Sequence, residues 1–318
     1  MSVNYKNRAC IYIENKNLRG IVYVDNWEVK RLRILNFGAL NIDYIYDVED
    51  FVRGGQTISA LGLSKSMGGK GLNQSVALAR AGAQVYHAGC VGEDGRFLVD
   101  FLAENGANTD FVKTVDAPTG HAMIQVDPKG QNCIIICGGA NKAITGDHID
   151  EVLSAFGPED AILLQNEIND VKVIAEKAHA KGMTVILNPS PVTNLDVPLE
   201  LVDLFLLNEL EAAEIFGKET TEEQLCAMGE MYPNAKFVLT LGEHGAIYTD
   251  AQQTVRVDAV KTAAVDTTAA GDTFTGYFLT SYFAGDGVET ALKTAAKAAA
   301  VTVSRKGASP SIPHKNEI

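Results

Sequence analysis

Residues 161–188, AILLQNEINDVKVIAEKAHAKGMTVILN, carry a strand, a helix and a second strand in succession. The runs AILLQ and TVILN are short and almost wholly apolar, which is typical of strands that are buried on both faces. Between them, residues 170–181 repeat apolar positions at the spacing of a helix. Two strands joined by a helix lie parallel in one sheet, so this stretch predicts a βαβ unit.

The same alternation of strands and helices extends over most of the chain. The further predicted strands are RILNFGAL (33–40), QVYHAGCVG (84–92), LFLLN (204–208), KFVLTLG (236–242) and AIYTD (246–250), and the further predicted helices cover residues 71–81, 95–106, 210–216, 271–284 and 288–304. Alternation at this spacing indicates a mainly parallel sheet that is covered by helices on both faces. We therefore predict a three-layer αβα fold in which ligands bind at the carboxyl ends of the strands.

Two regions do not fit that parallel sheet. Residues 44–62 and 121–137 contain short runs, such as YIYDVEDF, QTISALGL and HAMIQVD, in which apolar and polar residues alternate. Such runs are typical of strands with one open face, so we predict a separate small β-sheet. Cys133 and Cys137 lie in the apolar run QNCIIICGG and are predicted to be buried, reduced thiols.

The first 32 residues read differently from the rest of the chain. ACIYIE and GIVYVDNWEV alternate apolar and polar residues, as short half-buried strands do. We interpret residues 1–32 as an N-terminal extension, either a hairpin or a poorly ordered segment, and residues 33–318 as one α/β domain.

Charge and composition exclude several classes of function. The 318 residues carry a formal net charge of −13 and no dense Lys/Arg run, so a nucleic-acid partner is not expected. No span of about 20 apolar residues is present, so no membrane helix is expected. The chain does not begin with a basic segment followed by an apolar one, so we expect no secretion signal and a cytoplasmic location.

The strongest chemical motif is VDTTAAGDTFTGYF, residues 265–278. A small-residue turn, Ala269, Ala270 and Gly271, leads directly into a helix. The free N–H groups at a helix start attract anions, and glycine lets the backbone come close to them. Asp272 at this point can accept the proton of a hydroxyl that attacks phosphorus. The alternative is an ordinary N-cap aspartate after a small-residue turn.

A second motif, SMGGKGLNQS, covers residues 66–75. Its glycines, among them Gly69, permit backbone conformations that other residues avoid. Lys70 adds a cation and Asn73 adds both donors and an acceptor, which suits a ligand with several hydroxyls. The spacing is not that of a Walker A loop, and a plain glycine-rich turn is the alternative.

Two further polar motifs follow predicted strands. In FGALNID, Asn41 and Asp43 are two residues apart and point the same way in an extended segment, so both can reach one ligand. In NELE, Asn208 ends a strand and Glu211 lies on the first helical turn, where oxygen atoms can hold the water shell of Mg²⁺. Each motif alone also fits a strand-end turn or a helix cap, but all four fall at predicted strand ends.

GGKGLNQS and DTTAAGDTF resemble the two signature segments of the ribokinase-like (PfkB) carbohydrate kinase family. The resemblance runs from about residue 33 to about residue 313 and includes GGAN (138–141), LNPSPV (187–192), NELE, TLGEHG (240–245) and SRKGASPSIP (304–313). It implies ATP-dependent transfer of phosphate to the primary hydroxyl of a small sugar, with D-ribose favoured over other sugars. It also implies that the small β-sheet is a lid over the sugar and the contact of a homodimer.

The resemblance assigns a role to individual residues. Asp272 resembles the catalytic base, and Ala269, Ala270 and Gly271 resemble the anion hole. The sugar-binding set is Asn41, Asp43, Gly69, Lys70, Asn73 and Glu167, and the nucleotide-binding set is Asn208, Thr240, Gly242 and Gly245. Glu211 matches a position tied to Mg²⁺ through water, and Asp266, Thr268, Thr302, Gly307 and Ser311 match positions that hold a monovalent cation, usually K⁺.

The sequence departs from the family pattern in the extension of residues 1–32, at Asn166, where an apolar residue is more usual, and in the lid segment VRGGQTISALGLSKS. These departures leave open a kinase of a nucleoside or of another sugar, such as fructose or a keto-deoxy acid. A binding protein on a kinase fold that no longer catalyses is a further alternative, against which the intact AAGD segment argues. A nicotinamide-dependent dehydrogenase is disfavoured because no GxGxxG follows the first strand.

Overall fold

The computed structural model describes residues 32–318 and, within the first 31 residues, the backbone of two strands. These strands, β1 (Arg8–Asn15) and β2 (Leu18–Asp25), pair in antiparallel fashion. Residues 1–31 and residues 32–318 form two separate units. The predictions that concern the rest of the extension lie outside the described residues.

The second unit contains thirteen strands and eight α-helices among its described residues. The strands are β3 (Arg33–Phe37), β4 (Asn41–Asp47), β5 (Gly62–Gly68), β6 (Gln84–Val91), β7 (Asn108–Thr114), β8 (Gly120–Val126), β9 (Asn132–Cys137), β10 (Ala161–Gln165), β11 (Thr184–Asn188), β12 (Leu204–Asn208), β13 (Lys236–Thr240), β14 (Ala246–Thr249) and β15 (Thr254–Val257). The helices are α1 (Lys70–Ala81), α2 (Arg96–Glu104), α3 (Gly146–Ser154), α4 (Val171–Ala180), α5 (Glu209–Phe216), α6 (Thr221–Met231), α7 (Ala270–Phe283) and α8 (Val288–Val303). None of these helices is long and apolar enough to cross a bilayer.

Nine strands form the central sheet, in the order β15-β14-β13-β12-β11-β10-β3-β6-β7. All neighbouring pairs are parallel except those that involve β14 and β15, which run antiparallel at one edge. Two buried apolar clusters lie on opposite faces of this sheet, one against α3, α4, α5 and α6 and the other against α1, α2, α7 and α8. The predicted three-layer αβα fold is therefore confirmed.

The other four strands form a separate sheet in the order β5-β4-β8-β9. We call this the lid sheet. Its central pair, β4 and β8, is parallel, and the outer pairs are antiparallel. The sheet has apolar residues at its surface because β9 is exposed along its whole length.

Two local predictions were wrong, and two short helices were missed. QTISALGL is not a strand of its own, because β5 begins only at Gly62 and takes in just the last two residues of this run. Cys133 and Cys137 are exposed rather than buried, because β9 forms an outer edge of the lid sheet. The short helices α3 and α6 were not predicted, although a threonine N-cap, at Thr145 and Thr220, marks the start of each.

Helices α1 and α7 pack closely because α7 has a glycine where it crosses α1. A Cβ atom built on Gly276 would lie 2.4 Å from the Cβ of Ala77 and 2.7 Å from the backbone nitrogen of Leu78. Backbone atoms cannot yield as a flexible side chain can, so this glycine sets the distance between the two helices. Both helices begin at the candidate site described below.

Gly276→Ala is expected to lower the free energy of unfolding by about 1–3 kcal/mol, the usual cost of an overpacked core. Gly229→Ala in α6 is the matched control, since no described atom lies within 4 Å of its added Cβ. The control should be neutral or gain up to about 1 kcal/mol from helix propensity. Urea unfolding followed by circular dichroism measures both, and equal stability of the two variants would contradict the packing argument.

Candidate active site

A cavity of about 250 Å³ opens at the carboxyl ends of β11, β12 and β13, between the first turns of α1 and α7. This is the edge at which open α/β sheets bind ligands. Its lining residues are Lys70, Asn188, Leu206, Leu207, Asn208, Glu211, Thr240, Thr267, Ala269, Ala270, Gly271, Asp272 and Thr275. The lining therefore brings the predicted anion hole together with the lysine of the glycine-rich turn.

The first turn of α7 points its free N–H groups into this cavity. Ala269 is the residue before the helix and has a left-handed backbone, with φ of +62°. No described side chain caps this helix start. The Ala270 nitrogen donates to the carbonyl of Thr267 (3.2 Å), so the amides of Gly271 and Asp272 are the ones left available to an anion. A Cβ built on Gly271 would meet no described atom within 4 Å, so the approach to the helix start is open. The turn has the geometry of an anion-binding site.

Asp272 is the third residue of α7 and not its N-cap, which removes the structural alternative considered for this residue. Its side chain is turned back into the protein and is only 7% exposed. Oδ2 accepts a hydrogen bond from Nδ2 of Asn73 (3.0 Å), and Oδ1 accepts one from Nε2 of Gln74 (2.9 Å). Oγ of Ser309 in turn donates to Oδ1 of Asn73 (2.6 Å). The carboxylate is thus held on both oxygens at the edge of the cavity.

Lys70 is the first residue of α1 and supplies the cationic side chain of the cavity. Burial alone would lower the pKa of this lysine, but the carboxylates of Asp272, Glu167 and Glu211 outweigh burial and raise it. The side chain therefore stays charged. Its backbone nitrogen donates to Oε2 of Glu167 (2.9 Å), and burial raises the pKa of that glutamate.

Asn41 and Asp43 lie on β4, beside the start of α1. Asp43 stands against Gly68 so closely that a Cβ atom there would lie 2.2 Å from its Oδ2. Burial, reinforced by the charge of Glu167, raises the pKa of Asp43 to about 6. Oδ1 of Asn41 accepts a hydrogen bond from Nδ2 of Asn141 (2.7 Å), which leaves the Asn41 amide nitrogen as the group it can offer to a ligand.

Gly69 adopts a φ of +93° and lies against the backbone of Ala39. A side chain in this position would be strained and would collide with that backbone, so the turn before α1 requires glycine. The turn brings Lys70 close to the strand end that carries Asn41.

Asn208 and Glu211 close the first turn of α5 as a capping box. Oδ1 of Asn208 accepts from the Glu211 backbone (2.8 Å), and Oε2 of Glu211 accepts from the Asn208 backbone (3.0 Å). The structural alternative for NELE is therefore present, yet both residues also line the cavity. Since only one oxygen of Glu211 is used by the cap, the residue fits a role that reaches Mg²⁺ through water.

Thr240, Gly242 and Gly245 lie at the turn between β13 and β14. Oγ1 of Thr240 donates to the carbonyl of Leu207 (3.2 Å), and the residue lines the cavity. Gly242 has a φ of +55° with open space beside it, which suits close approach of a ligand. Packing alone requires glycine at position 245, because a Cβ atom on Gly245 would lie 2.0 Å from the carbonyl oxygen of Val257.

None of the residues matched to a monovalent cation lines the cavity, and three of them contact one another. Oδ1 of Asp266 accepts from the nitrogen (2.9 Å) and Oγ1 (2.6 Å) of Thr268, and Oδ2 accepts from the Gly307 nitrogen (2.9 Å). Burial would raise the pKa of Asp266, but these hydrogen bonds lower it, so the carboxylate stays ionised. Oγ1 of Thr302 lies 3.0 Å from Oγ1 of Thr273 in α7.

The Ser311 hydroxyl donates its hydrogen to the carbonyl of Ala308 (2.7 Å), and the lone pairs of its oxygen can still serve a cation. The set offers oxygen atoms only, which is the chemistry that hard cations prefer. Among residues 32–318, no three His, Cys, Asp or Glu side chains gather as a metal site. Backbone, hydroxyl and water oxygens would therefore complete any cation shell.

Sequence reasoning missed several residues that the fold brings to the cavity. These are Asn188, Thr267 and Thr275 in the lining and Gln74 and Gln165 behind Asp272. Signals existed for three of them, because Asn188 and Gln165 are polar residues at the end of apolar strands and Gln74 lies in the glycine-rich motif. Only the tertiary structure shows which side chains these residues contact.

The parallel sheet, the uncapped helix start and the buried carboxylate beside a lysine define the chain as an α/β enzyme that handles an anionic ligand. The model of the pfkB family carbohydrate kinases matches residues 31–315. The chain therefore belongs to the pfkB family of carbohydrate kinases and is a sugar kinase.

Individual relatives resemble the chain over nearly its whole length. A ribokinase of Haemophilus influenzae is 33% identical over 298 residues, which cover 91% of this chain and 97% of the relative. The structure of Arabidopsis thaliana ribokinase complexed with ribose and ATP has a TM-score of 0.80 and 31% identity, with 90% and 97% of the two chains covered. The ribokinase of Cryptococcus neoformans in complex with ADP also has a TM-score of 0.80 and 31% identity, with 90% and 98% covered.

Proposed function

We propose that the chain transfers the γ-phosphoryl group of ATP to the primary hydroxyl of D-ribose and releases ADP and ribose 5-phosphate. The observation that carries this proposal is the position of Asp272, a carboxylate fixed on both oxygens directly beside the open start of α7. A base and an anion site in one cavity are what transfer of phosphate to a hydroxyl needs. The likeness to ribokinases over about nine-tenths of the chain supports ribose as the acceptor.

The proposed reaction begins with the sugar held between β4 and α1. Asp43 accepts hydrogen bonds from sugar hydroxyls, and the Asn41 amide donates to one. Gly69, Lys70, Asn73 and Glu167 complete the sugar-binding set. This arrangement leaves the primary hydroxyl beside Asp272, which takes its proton as the oxygen attacks the γ-phosphorus in line.

The phosphate chain of ATP lies between Lys70 and the first turn of α7. The Gly271 amide, after the left-handed Ala269, donates to the oxygens of the transferred group. The Ala270 amide joins it by exchanging its bond to the Thr267 carbonyl for one to the phosphate. Donors preorganised for developing charge are worth about 3–4 kcal/mol each when one is removed. Asn208, Thr240, Gly242 and Gly245 form the nucleotide side of the cavity.

Glu211 and Asn208 would hold the water shell of Mg²⁺ that accompanies ATP, and the ion supplies charge neutralisation at the phosphates. Asp266, Thr268, Thr302, Gly307 and Ser311 would hold a monovalent cation, K⁺, beside the segment that leads into α7. Because Thr302 contacts Thr273 in the first turns of that helix, a cation there acts on the shape of the anion hole and does not touch the substrate.

A coupled ADP-release assay tests the proposed function. The acceptor panel is ribose, 2-deoxyribose, fructose, a keto-deoxy acid and a nucleoside, each with K⁺ or with tetramethylammonium. Ribose with K⁺ should give the highest kcat/KM. A higher kcat/KM for a nucleoside would show that the acceptor is a nucleoside and not ribose. No ADP release with any acceptor would overturn the kinase proposal. Equal rates with K⁺ and with tetramethylammonium would contradict the proposed K⁺ site.

The proposed catalytic domain is residues 33–318, with the lid sheet as its cover and the extension of residues 1–32 outside the activity. The lid sheet also forms a homodimer in this proposal. Ile45, Ile124 and Ile134 lie in register across β4, β8 and β9, on the face that carries Asp43. Both a free edge and an apolar stripe on one small sheet favour a second copy of this chain as the partner.

Ile134→Lys is expected to convert a dimer into a monomer, because Ile134 is 47% exposed and the lysine would place a charge within the apolar stripe. Lys129→Glu, in the turn between β8 and β9, is the control and should leave the dimer unchanged. Sedimentation equilibrium distinguishes the two states. A wild-type monomer at micromolar concentration would refute the dimer. The cytoplasmic location and the absence of nucleic-acid and membrane partners complete the proposal.

A further inference from the structure

A chain of buried polar side chains runs from Asp272 into the protein, away from the cavity. Its members are Gln74 and Ser75 of α1, Gln165 at the end of β10, Asn36 of β3 and His87 of β6, and each of them is 0% exposed. We call this the buried amide chain. Five buried polar side chains in contact under one carboxylate are costly to retain in a sheet of apolar residues, so their arrangement calls for a reason.

The half of the buried amide chain that lies nearest the cavity consists of two glutamines, Gln74 and Gln165. Nε2 of Gln74 donates to Oδ1 of Asp272 (2.9 Å) and to Oδ1 of Asn188 (2.9 Å). Nε2 of Gln165 donates to Oε1 of Gln74 (2.7 Å) and to Oδ1 of Asn36 (2.9 Å). Each amide nitrogen has two hydrogens, and both are used in each glutamine.

The far half of the buried amide chain ends in hydrogen bonds to a backbone carbonyl and to a neutral histidine. Nδ2 of Asn36 donates to the carbonyl of Gly71 (2.8 Å) and to Oγ of Ser75 (2.8 Å). Oγ of Ser75 lies 2.8 Å from Nδ1 of His87. Burial lowers the pKa of His87 to about 4, with a smaller opposing effect from the Gly38 backbone, so the imidazole is neutral and can accept the Ser75 hydrogen.

Both ends of the buried amide chain fix its direction. The Gly71 carbonyl can only accept, so Asn36 must turn its nitrogen toward Gly71 and its oxygen toward Gln165. Gln165 must then donate to Asn36 and to Gln74. Gln74 is left with its nitrogen toward Asp272, and the reverse orientation would place its oxygen against a carboxylate. One backbone oxygen therefore sets the orientation of an amide three side chains away.

Gln165 holds this orientation at a cost to stability. Its Oε1 has no hydrogen-bond partner among the described residues, and a Cβ atom on Gly38 would lie 2.3 Å from that oxygen. An unpartnered buried acceptor lowers stability, and a nearby glycine is required to accommodate it. An apolar side chain would remove this unpartnered oxygen, but it would leave Oδ1 of Asn36 and Oε1 of Gln74 without the donor that Gln165 supplies.

We propose that Gln165 and Asn36 are positioning residues that act through Gln74 to hold the Asp272 carboxylate in one orientation, ready to accept the proton of the sugar hydroxyl. This inference rests on the proposed kinase activity. The two amides from Asn73 and Gln74 bind different oxygens of Asp272, so neither can replace the other in preventing rotation. The charged groups that face Asp272 are Lys70 and Glu167, and neither belongs to the buried amide chain.

Gln165→Met tests the proposal, because methionine keeps the length of the side chain and removes both donors. The single-turnover rate of ribose phosphorylation should fall on the order of 10-fold to 100-fold, since small misplacements of a reacting group have effects of this size. The dissociation constant for ribose should change by less than about threefold, because a base that acts in the transition state contributes little to ground-state binding.

Gln224→Met is the matched control. Gln224 is also buried, also donates two hydrogen bonds, to the carbonyls of Glu209 (3.2 Å) and Lys218 (3.0 Å), and also has an unpartnered Oε1. It lies in α6, outside the cavity lining. Its substitution should lower stability as much as Gln165→Met does. The single-turnover rate should stay within about twofold of wild type, because neither Gln224 nor the two residues whose carbonyls it binds line the cavity.

A double-mutant cycle separates positioning from a merely structural role. If Gln165 acts through Gln74, then Gln165→Met should cause no further loss of rate in a Gln74→Met background, whereas additive losses would overturn the proposal. A rate loss matched by Gln224→Met would overturn it too. The wild-type protein is the internal check, because an inactive wild type contradicts the proposed function rather than the buried amide chain.

If the wild-type protein is inactive, hydrogen exchange still tests the positioning role of Gln165, because it does not require turnover. The side-chain amide protons of Gln74, assigned by their loss in Gln74→Met, should exchange slowly with water in wild type and at least 10-fold faster in Gln165→Met, because rotation becomes possible. Unchanged exchange in Gln165→Met would overturn the proposal.

Discussion

Asp272→Asn is expected to lower kcat by about 10²-fold or more, the usual contribution of a general base, while ATP binds with nearly unchanged affinity. Asparagine keeps the shape of the side chain but cannot accept a proton. The proposed anion hole consists of backbone amides of the turn from Ala269 to Gly271, and the substitution leaves that backbone in place. Turnover is measured by ADP release, and nucleotide affinity by calorimetry.

Asp286→Asn is the control for this substitution, since it changes the same chemical group just beyond the other end of α7. It should retain the wild-type kcat. Turnover of Asp272→Asn within a few-fold of wild type would remove Asp272 from the role of base. A loss of ATP binding in parallel with kcat would instead indicate that the charge of Asp272 organises the nucleotide site, for example through Lys70.

The second large effect is expected for Asp43→Ala, which should raise the KM for ribose about 10²-fold and leave the KM for ATP within about twofold. A buried carboxylate that accepts hydroxyl hydrogens discriminates strongly, because the loss of a charged acceptor leaves the ligand's donors unpaired. Asp47→Ala on the same strand is the control, because Asp47 is exposed at the far end of β4. Equal increases in the two KM values would make Asp43 structural.

The raised pKa of Asp43 adds a pH dependence with a definite sign. Ribose should bind less well as the pH falls through about 6, because protonation removes the charge that accepts its hydroxyl hydrogens. Since the pKa is above that of the unfolded chain, the ionised form of Asp43 lowers stability above pH 6, and this penalty is relieved as the pH falls. At pH 7, Asp43→Ala should therefore melt at a higher temperature than wild type in the absence of sugar.

The melting temperature and the KM of Asp43→Ala together test the origin of the pKa shift. A variant that is more stable and binds ribose poorly fits a carboxylate desolvated for the sake of its ligand. A variant that is less stable would show that Asp43 supports the lid sheet instead. Either result is read by differential scanning calorimetry beside steady-state kinetics.

The site was predictable where its chemistry lies within one motif. Ala269 to Asp272 occupy four consecutive positions, so their small side chains and their place before an apolar helix are visible in the sequence. Asn208 and Glu211 are likewise placed by one strand end and one helix start. Such local geometry follows from backbone rules that need no knowledge of distant contacts.

The rest of the site depends on contacts between distant parts of the chain. Gln74 and Asp272 are 198 residues apart, and Gln165 and Asn36 are 129 apart. The sequence around a polar residue at a strand end does not reveal which distant side chain that residue contacts. Many pairings of strand ends with helix faces are compatible with the same local sequence.

By itself, the sequence determined the layers of the fold, the small-residue turn that begins a helix and the carboxylate beside it. The spacing of apolar residues and the small residues of a tight turn are local features that span only a few positions. They can therefore be recognised directly in the sequence. Only the tertiary structure decided that β9 is an exposed edge and that Gln165, Asn36 and Gln74 orient Asp272. Sheet order and amide direction arise from packing across the sheet, where each side chain is constrained by neighbours that local patterns do not specify.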